Sequence, residues 1–83
     1  MPIKISPLDN LPANKKAVVV ALLSSDNERR RNLDLGIVPG TNIKMLFESP
    51  NKNPKAYLIR GTVLALRNED ANKILIKANR DDS

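Results

Sequence analysis

The 83-residue chain contains no cysteine, no histidine and no tryptophan, and holds only one phenylalanine, one tyrosine and three glycines. Each shortage removes a class of function. Without cysteine no disulfide can close a loop, and thiolate metal sites, thiol redox chemistry and cysteine nucleophiles are excluded. Without histidine the side chain that most often serves as a general base is missing as well. Ser24, Ser25 and Ser49 have only lysine as a candidate base, and no carboxylate pair sits among apolar residues that would perturb its pKa. The sequence therefore reads as non-enzymatic. Metal binding is left with hard oxygen donors. The closest carboxylate pairs, Asp26 with Glu28 and Glu69 with Asp70, are better explained as acids at helix N-termini. Three scattered glycines cannot form a phosphate cradle. Phe47 and Tyr57 make a poor platform for single strands, where stacking contributes about 1–3 kcal/mol per base. The longest apolar run, residues 17–23, falls far short of the roughly 20 residues of a transmembrane helix. No basic-then-apolar leader opens the chain, so a soluble intracellular protein is expected.

Positive charge is what the chain does have. Its formal charge is +5, from 14 basic and 9 acidic residues. Asp81 and Asp82 fall in a tail expected to fray, and without them the balance is +7. Such a bias favours anionic partners: acidic protein faces, lipid headgroups or nucleic acid.

No repeat, low-complexity block or linker interrupts the chain. Residues 1–83 read as one domain, with a core at about residues 6–77 and a tail at 78–83. Residues 6–11 read as a helical turn capped by Ser6, with Pro7 at its first position and Leu8 and Leu11 on one face. Residues 17–23, with three adjacent valines, read as a strand buried on both sides or crossing a barrel interior. Ser25 and Glu28 have capping-box spacing, so a helix follows to about Leu35. Its apolar content is thin, and Leu33, Leu35 and Ile37 are expected to hold it down as a lid. Asn42 to Glu48 alternates, with Ile43, Met45 and Phe47 on the core face. Residues 55–60 and 62–66 read as two more strands around Gly61, expected to permit a tight bend. Asn68 is expected to cap a short helical turn, with Lys73 at its negative end. Ile74, Leu75, Ile76 and Lys77 form the last strand. Five short strands, one lid helix and two helical turns favour a small closed barrel, mainly β.

The most informative stretch is Leu33-Asp34-Leu35-Gly36-Ile37-Val38-Pro39-Gly40. Gly36 suits a left-handed helix stop. Pro39 and Gly40 suit the two central positions of a type II turn. With Arg29-Arg30-Arg31 before it, and with Arg60-Gly61-Thr62-Val63-Leu64-Ala65-Leu66-Arg67 and Glu69-Asp70-Ala71-Asn72-Lys73-Ile74 after it, this stretch resembles the FeoA family of small ferrous-iron transport proteins. The likeness spans residues 6–77. It implies an SH3-like barrel, a cytosolic location and work beside FeoB, the membrane GTPase-coupled ferrous-iron transporter. It implies no catalytic residue and no firmly bound cofactor, with iron(II) only as the ion its partner carries. One departure stands out. Where the family usually has a Pro-Gly turn, this chain has Pro12-Ala13-Asn14, and Asn14 can visit the left-handed region that such a turn uses.

A surface for contact is then expected from the basic residues. Consecutive helical residues point about 100° apart, so three arginines cannot all meet one flat partner. Arg30 is expected to pair with Asp26 or Asp34, leaving Arg29 and Arg31 freer for bidentate contact with carboxylate or phosphate. The residues expected to touch a partner are Arg29, Arg31, Ile37, Val38, Lys52 and Lys55. Gly36, Pro39, Gly40 and Gly61 are expected to shape turns. The reading is a cytoplasmic, non-enzymatic module that binds and modulates a FeoB-type transporter, near the membrane only through that partner, with no nucleic acid expected. The alternative is a nucleic-acid-binding or metal-regulatory SH3-like module. Direct iron(II) sensing is a third reading, and an unpaired barrel edge could permit weak homo-oligomers.

Overall fold

The computed structural model describes residues 4–23 and 25–78. Six strands form one antiparallel sheet: β1 (Ile5–Pro7), β2 (Lys16–Leu22), β3 (Asn42–Glu48), β4 (Lys55–Ile59), β5 (Thr62–Leu66) and β6 (Ile74–Ala78). Their order across the sheet is β1-β6-β2-β3-β4-β5. The expected count was five, and the sixth comes from the N-terminal segment. Ser6 and Pro7 do not begin a helical turn but pair with Ile76 and Leu75 of β6. Proline is tolerated there because β1 is an edge strand, where a missing N–H costs no ladder bond. Only Leu8–Asn10 turn as a 3₁₀ helix, entered from Pro7 without a side-chain cap. The sheet is also not closed: among the described residues no ladder joins β1 to β5. It folds instead around a core that includes Leu8, Val19, Ile43, Tyr57, Ile59 and Ile76. The tail from residue 79 on lies outside the described residues, and Ala78 is the last residue of β6.

Two bulges decide which side chains enter that core. In β2, Ala17 and Val19 are buried while Val18 and Val20 are half-buried, so the strand alternates rather than being buried on both sides. The register slips between Val19 and Ala21. Beyond the slip it is Leu22 that packs on the core, and Leu23 is 62% exposed. In β3 the register slips between Met45 and Phe47. One extra residue turns every following side chain to the other face. Phe47, expected on the core face with Ile43 and Met45, is therefore 61% exposed and stands across from Ala56 on the outer face.

The connection after Leu11 keeps its turn. Asn14 takes φ +66, and its N–H donates to Met45 O at 2.7 Å. Helix α1 (Asp26–Leu35) starts with the expected capping box: Glu28 N–H donates to Ser25 Oγ, and Ser25 N–H donates to Glu28 Oε1 at 3.1 Å. It stops at Gly36, φ +86, where Ile37 N–H reaches back to Asn32 O at 2.8 Å and Gly36 N–H to Leu33 O at 3.0 Å. These two bonds satisfy carbonyls that a helix end leaves open. What holds α1 down differs from the expectation. Leu33 is 54% exposed and Leu35 is 36% exposed, and α1 buries none of its residues. Only Ile37, two residues past the helix, enters the core, at 0% exposure. Two leucines in ten residues make too narrow a stripe for burial, so the helix is positioned by its ends and by ion pairs.

Helix α2 (Asn68–Ala71) also departs from expectation. Its cap position is Arg67, without a side-chain bond. Asn68 instead clips the loop of residues 49–54: its N–H takes Asn53 Oδ1 at 3.0 Å and its Nδ2 donates to Lys52 O at 2.9 Å.

Candidate functional site

The glycine-bearing stretches at residues 36–40 and 60–61 are far apart in the chain and meet in the fold. The β4–β5 hairpin turns on Arg60 and Gly61, with φ +52 and +80. Positive φ at both central residues is what a two-residue type I′ turn demands. Arg60 reaches back to the corner between α1 and β3, where its Cδ stands 2.9 Å from the position a Cβ on Gly36 would occupy. Gly36 is thus required twice, for its left-handed backbone and for the Arg60 stem above it. Gly36→Ala is expected to cost about 1–2 kcal/mol from the backbone and a further loss from displacing Arg60. Gly61→Ala meets no atom within 4 Å and should show the backbone cost alone. Equal losses in urea denaturation would mean that the Arg60 contact carries no weight.

The corner itself is rigidly tied. Pro39 and Gly40, φ +94, make a turn closed by Thr41 N–H to Val38 O at 3.0 Å. Buried Thr41 accepts the Val38 N–H on its Oγ1 at 3.2 Å and donates the same hydroxyl to Gly36 O at 3.1 Å. Gly40 N–H donates to Val19 O at 2.7 Å, and Val19 N–H donates to Thr41 O at 2.9 Å, pinning the corner to β2.

Arg60 borders two adjoining hollows. One, of about 460 Å³, is lined by Lys16, Asn42, Ile43, Lys44, Leu58, Arg60 and Gly61. The other, of about 370 Å³, is lined by residues 38–42 and Arg60. Among the described residues neither is lined by a carboxylate. The strand register explains this one-sided charge. Lys16, Lys44, Leu58 and Val63 stand side by side across β2, β3, β4 and β5. A second row carries Ile5, Lys77, Val18 and Asn42 across β1, β6, β2 and β3. Each of these lysines alternates with a buried neighbour (Ala17, Ile43 or Ile76), so all three share the outer face. The one acidic strand residue among those described, Glu48, lies beyond the β3 bulge.

The residues expected to touch a partner do not gather into one surface. Arg29 is exposed on α1, and among the described residues neither it nor Arg30 has an ion pair. It is Arg31, not Arg30, that pairs: its Nη2 stands 3.8 Å from Asp70 on α2. Ile37 is fully buried and cannot meet a partner, because the Gly36 stop turns it inward. Lys55 is tied, its Nζ donating to Asp9 O at 2.7 Å. Lys52 is exposed in the 49–54 loop, remote in sequence from the corner. Of the six, only Val38 borders the hollows. Lys16, Lys44, Leu58 and Arg60, which line the larger hollow, are not among the residues expected from the sequence. The period-two alternation of Lys16 with Ala17 and of Lys44 with Ile43 is the signal that would have placed the two lysines on one face.

A second polar feature fastens α1. Lys73 Nζ donates to Glu28 Oε2 at 2.9 Å. This bond, with those from the Ser25 N–H and hydroxyl, draws Glu28 down to about 2, and the same bond pushes Lys73 up. Because the folded Glu28 pKa lies below the unfolded one, the stability it lends is present above about pH 4.5 and is lost as pH falls through about 2. Glu28→Gln should therefore flatten the dependence of Tm on pH across that acid window. A variant with an unchanged acid limb would show that the pair contributes nothing. Among the described residues no three His, Cys, Asp or Glu side chains gather in a way that could hold a metal ion, and no helix is long and apolar enough to cross a membrane.

An open antiparallel sheet folded around its core, with a short helix between β2 and β3, has the form of a small SH3-like domain. The FeoA domain family matches residues 6–78, and the chain belongs to that family. Its fold is similar to the FeoA-like protein from Clostridium acetobutylicum, with 32% identity, a TM-score of 0.83, and coverage of 94% of this chain and 90% of that one. It is also similar to the zinc complex of Stenotrophomonas maltophilia FeoA, a prokaryotic SH3 domain protein, with 26% identity, a TM-score of 0.73 and 92% of each chain covered. T. acidophilum IdeR shares the fold alone, with 19% identity and a TM-score of 0.80 over 95% of this chain but 36% of its own. No curated protein matches the chain by sequence.

Proposed function

We propose that this chain is a non-enzymatic, cytoplasmic accessory module of ferrous-iron uptake that docks on a FeoB-type membrane transporter and modulates it. Membership of the FeoA family carries the reading. The preorganised corner at Gly36, Thr41 and Arg60, beside a face charged with one sign, supports a docking role. Iron(II) enters as the cargo of the partner, and the module approaches the membrane through that partner. Co-purification with the cognate transporter at low salt tests this. Absence of a complex with both proteins folded would refute it.

The basic outer face favours nucleic-acid binding as the second reading. Titration of labelled single- and double-stranded DNA over a salt series discriminates. Micromolar or tighter binding that falls steeply with salt would favour this second reading.

A further inference from the structure

We infer that the hollow between Lys44 and Arg60 accepts an acidic, apolar-anchored peptide segment, in extended form, from a protein partner. The inference rests on the docking reading above and names the chemistry of the segment that docks. Three observations carry it. First, the hollow is ringed by Lys16, Lys44 and Arg60, and among the described residues no carboxylate lines it. Second, charge gives way to apolar surface along a single row: Lys44 stands beside half-buried Leu58, and Leu58 beside Val63, which is 57% exposed. Adjacent strands lie about 4.8 Å apart, so the cationic and apolar ends of this row are roughly 10 Å apart. An extended chain advances about 3.3 Å per residue, which places a carboxylate about three residues from an apolar anchor. Third, the Arg60 stem lies over Gly36 at the rim of the same hollow, where its planar fork can meet a carboxylate through two bonds.

Other occupants fit less well. A second copy would bring the same positive face against this one. Nucleic acid would need several stacking partners, yet among the described residues the hollow has no aromatic lining, Tyr57 is fully buried, and exposed Phe47 is a single ring outside the hollow. A lipid surface is met by projecting side chains, whereas this site is concave.

The probe is a short fluorescein-labelled peptide with two glutamates about three residues before a leucine in a glycine-serine background. Anisotropy gives its affinity, and amide shifts locate it. Binding is expected with shifts centred on Lys44, Leu58 and Arg60. Lys44→Glu should weaken it by tenfold or more, and Val63→Ser by about threefold, with Tm held close to that of the parent. Arg29→Glu makes the same charge change on α1 and should move affinity less than twofold. Equal weakening by Lys44→Glu and Arg29→Glu, shifts centred on α1, equal binding of the glutamine-substituted peptide, or tighter binding of a DNA strand or of anionic vesicles would overturn the inference. Retained co-purification of Lys44→Glu with the transporter, alongside lost peptide binding, would overturn the hollow as the docking site while leaving the docking reading intact. Failure of the parent protein to co-purify would strike the docking reading itself.

Discussion

Tyr57→Ala should remove a large share of the stability of the folded chain. Tyr57 is the largest fully buried side chain, at 0% exposure in the middle strand of the β3–β4–β5 meander. Removing a buried aromatic ring costs about 3–5 kcal/mol. A chain of this length has roughly 4–12 kcal/mol in all. Each 1 kcal/mol lowers Tm by about 4–8 °C in so small a domain, so a drop of more than about 12 °C is expected by calorimetry. Tyr57→Phe should behave in the opposite sense. Among the described residues the Tyr57 hydroxyl is buried without a hydrogen-bond partner. Deleting an unsatisfied buried hydroxyl removes a desolvation penalty on the order of 1 kcal/mol. Burial, and then the negative charges of Asp9 and Glu48, push this phenol up to about 12. Since the folded value lies above the ordinary 10, stability attributable to Tyr57 is present below pH 10 and is lost as pH rises toward 12. Tyr57→Phe should abolish that alkaline loss. A phenylalanine variant less stable than the parent at pH 7 would show that the hydroxyl is satisfied after all.

Ile37→Ala should cost about 2–5 kcal/mol, the range for truncating a buried isoleucine, whereas Leu33→Ala should stay within about 0.5 kcal/mol, as exposed substitutions do. Both residues flank the same helix stop, and only their placement differs: Ile37 is fully buried and Leu33 is 54% exposed. Parallel urea titrations decide the matter. Similar losses at the two positions would restore the view that α1 is held down by its own leucines. The expected asymmetry would place the anchor after the helix and assign the helix itself to its cap and to the Glu28–Lys73 and Arg31–Asp70 pairs.

The readable part of the fold was local. The Ser25–Glu28 capping box, the alternation of β3 up to its bulge and the left-handed Asn14 all follow from residue type and spacing within a few positions. The positive φ values at Gly36, Gly40 and Gly61 follow from the same short-range sterics. What misled was parity. Ile43, Met45 and Phe47 obey one alternation in sequence, and a single unpaired residue in β3 ends it. Ser6-Pro7-Leu8 carries a helix-start signal that pairing with β6 overrides. At the candidate site, the basic residues most visible as a motif, Arg29-Arg30-Arg31, are spread around a helix. Lys16, Lys44 and Arg60 are scattered over 45 positions of sequence and gather only when β2, β3 and β4 align.

By itself, then, the sequence determined that cysteine and histidine chemistry is missing, where most of the turns fall and which family the chain resembles, because composition, caps and turn residues act over a few bonds. The tertiary structure alone decided the sixth strand, the outward turn of Phe47, the inward turn of Ile37 and the meeting of Arg60 with Gly36. Those outcomes depend on ladder register and on contacts between distant segments, whose energies exist only once the strands are side by side.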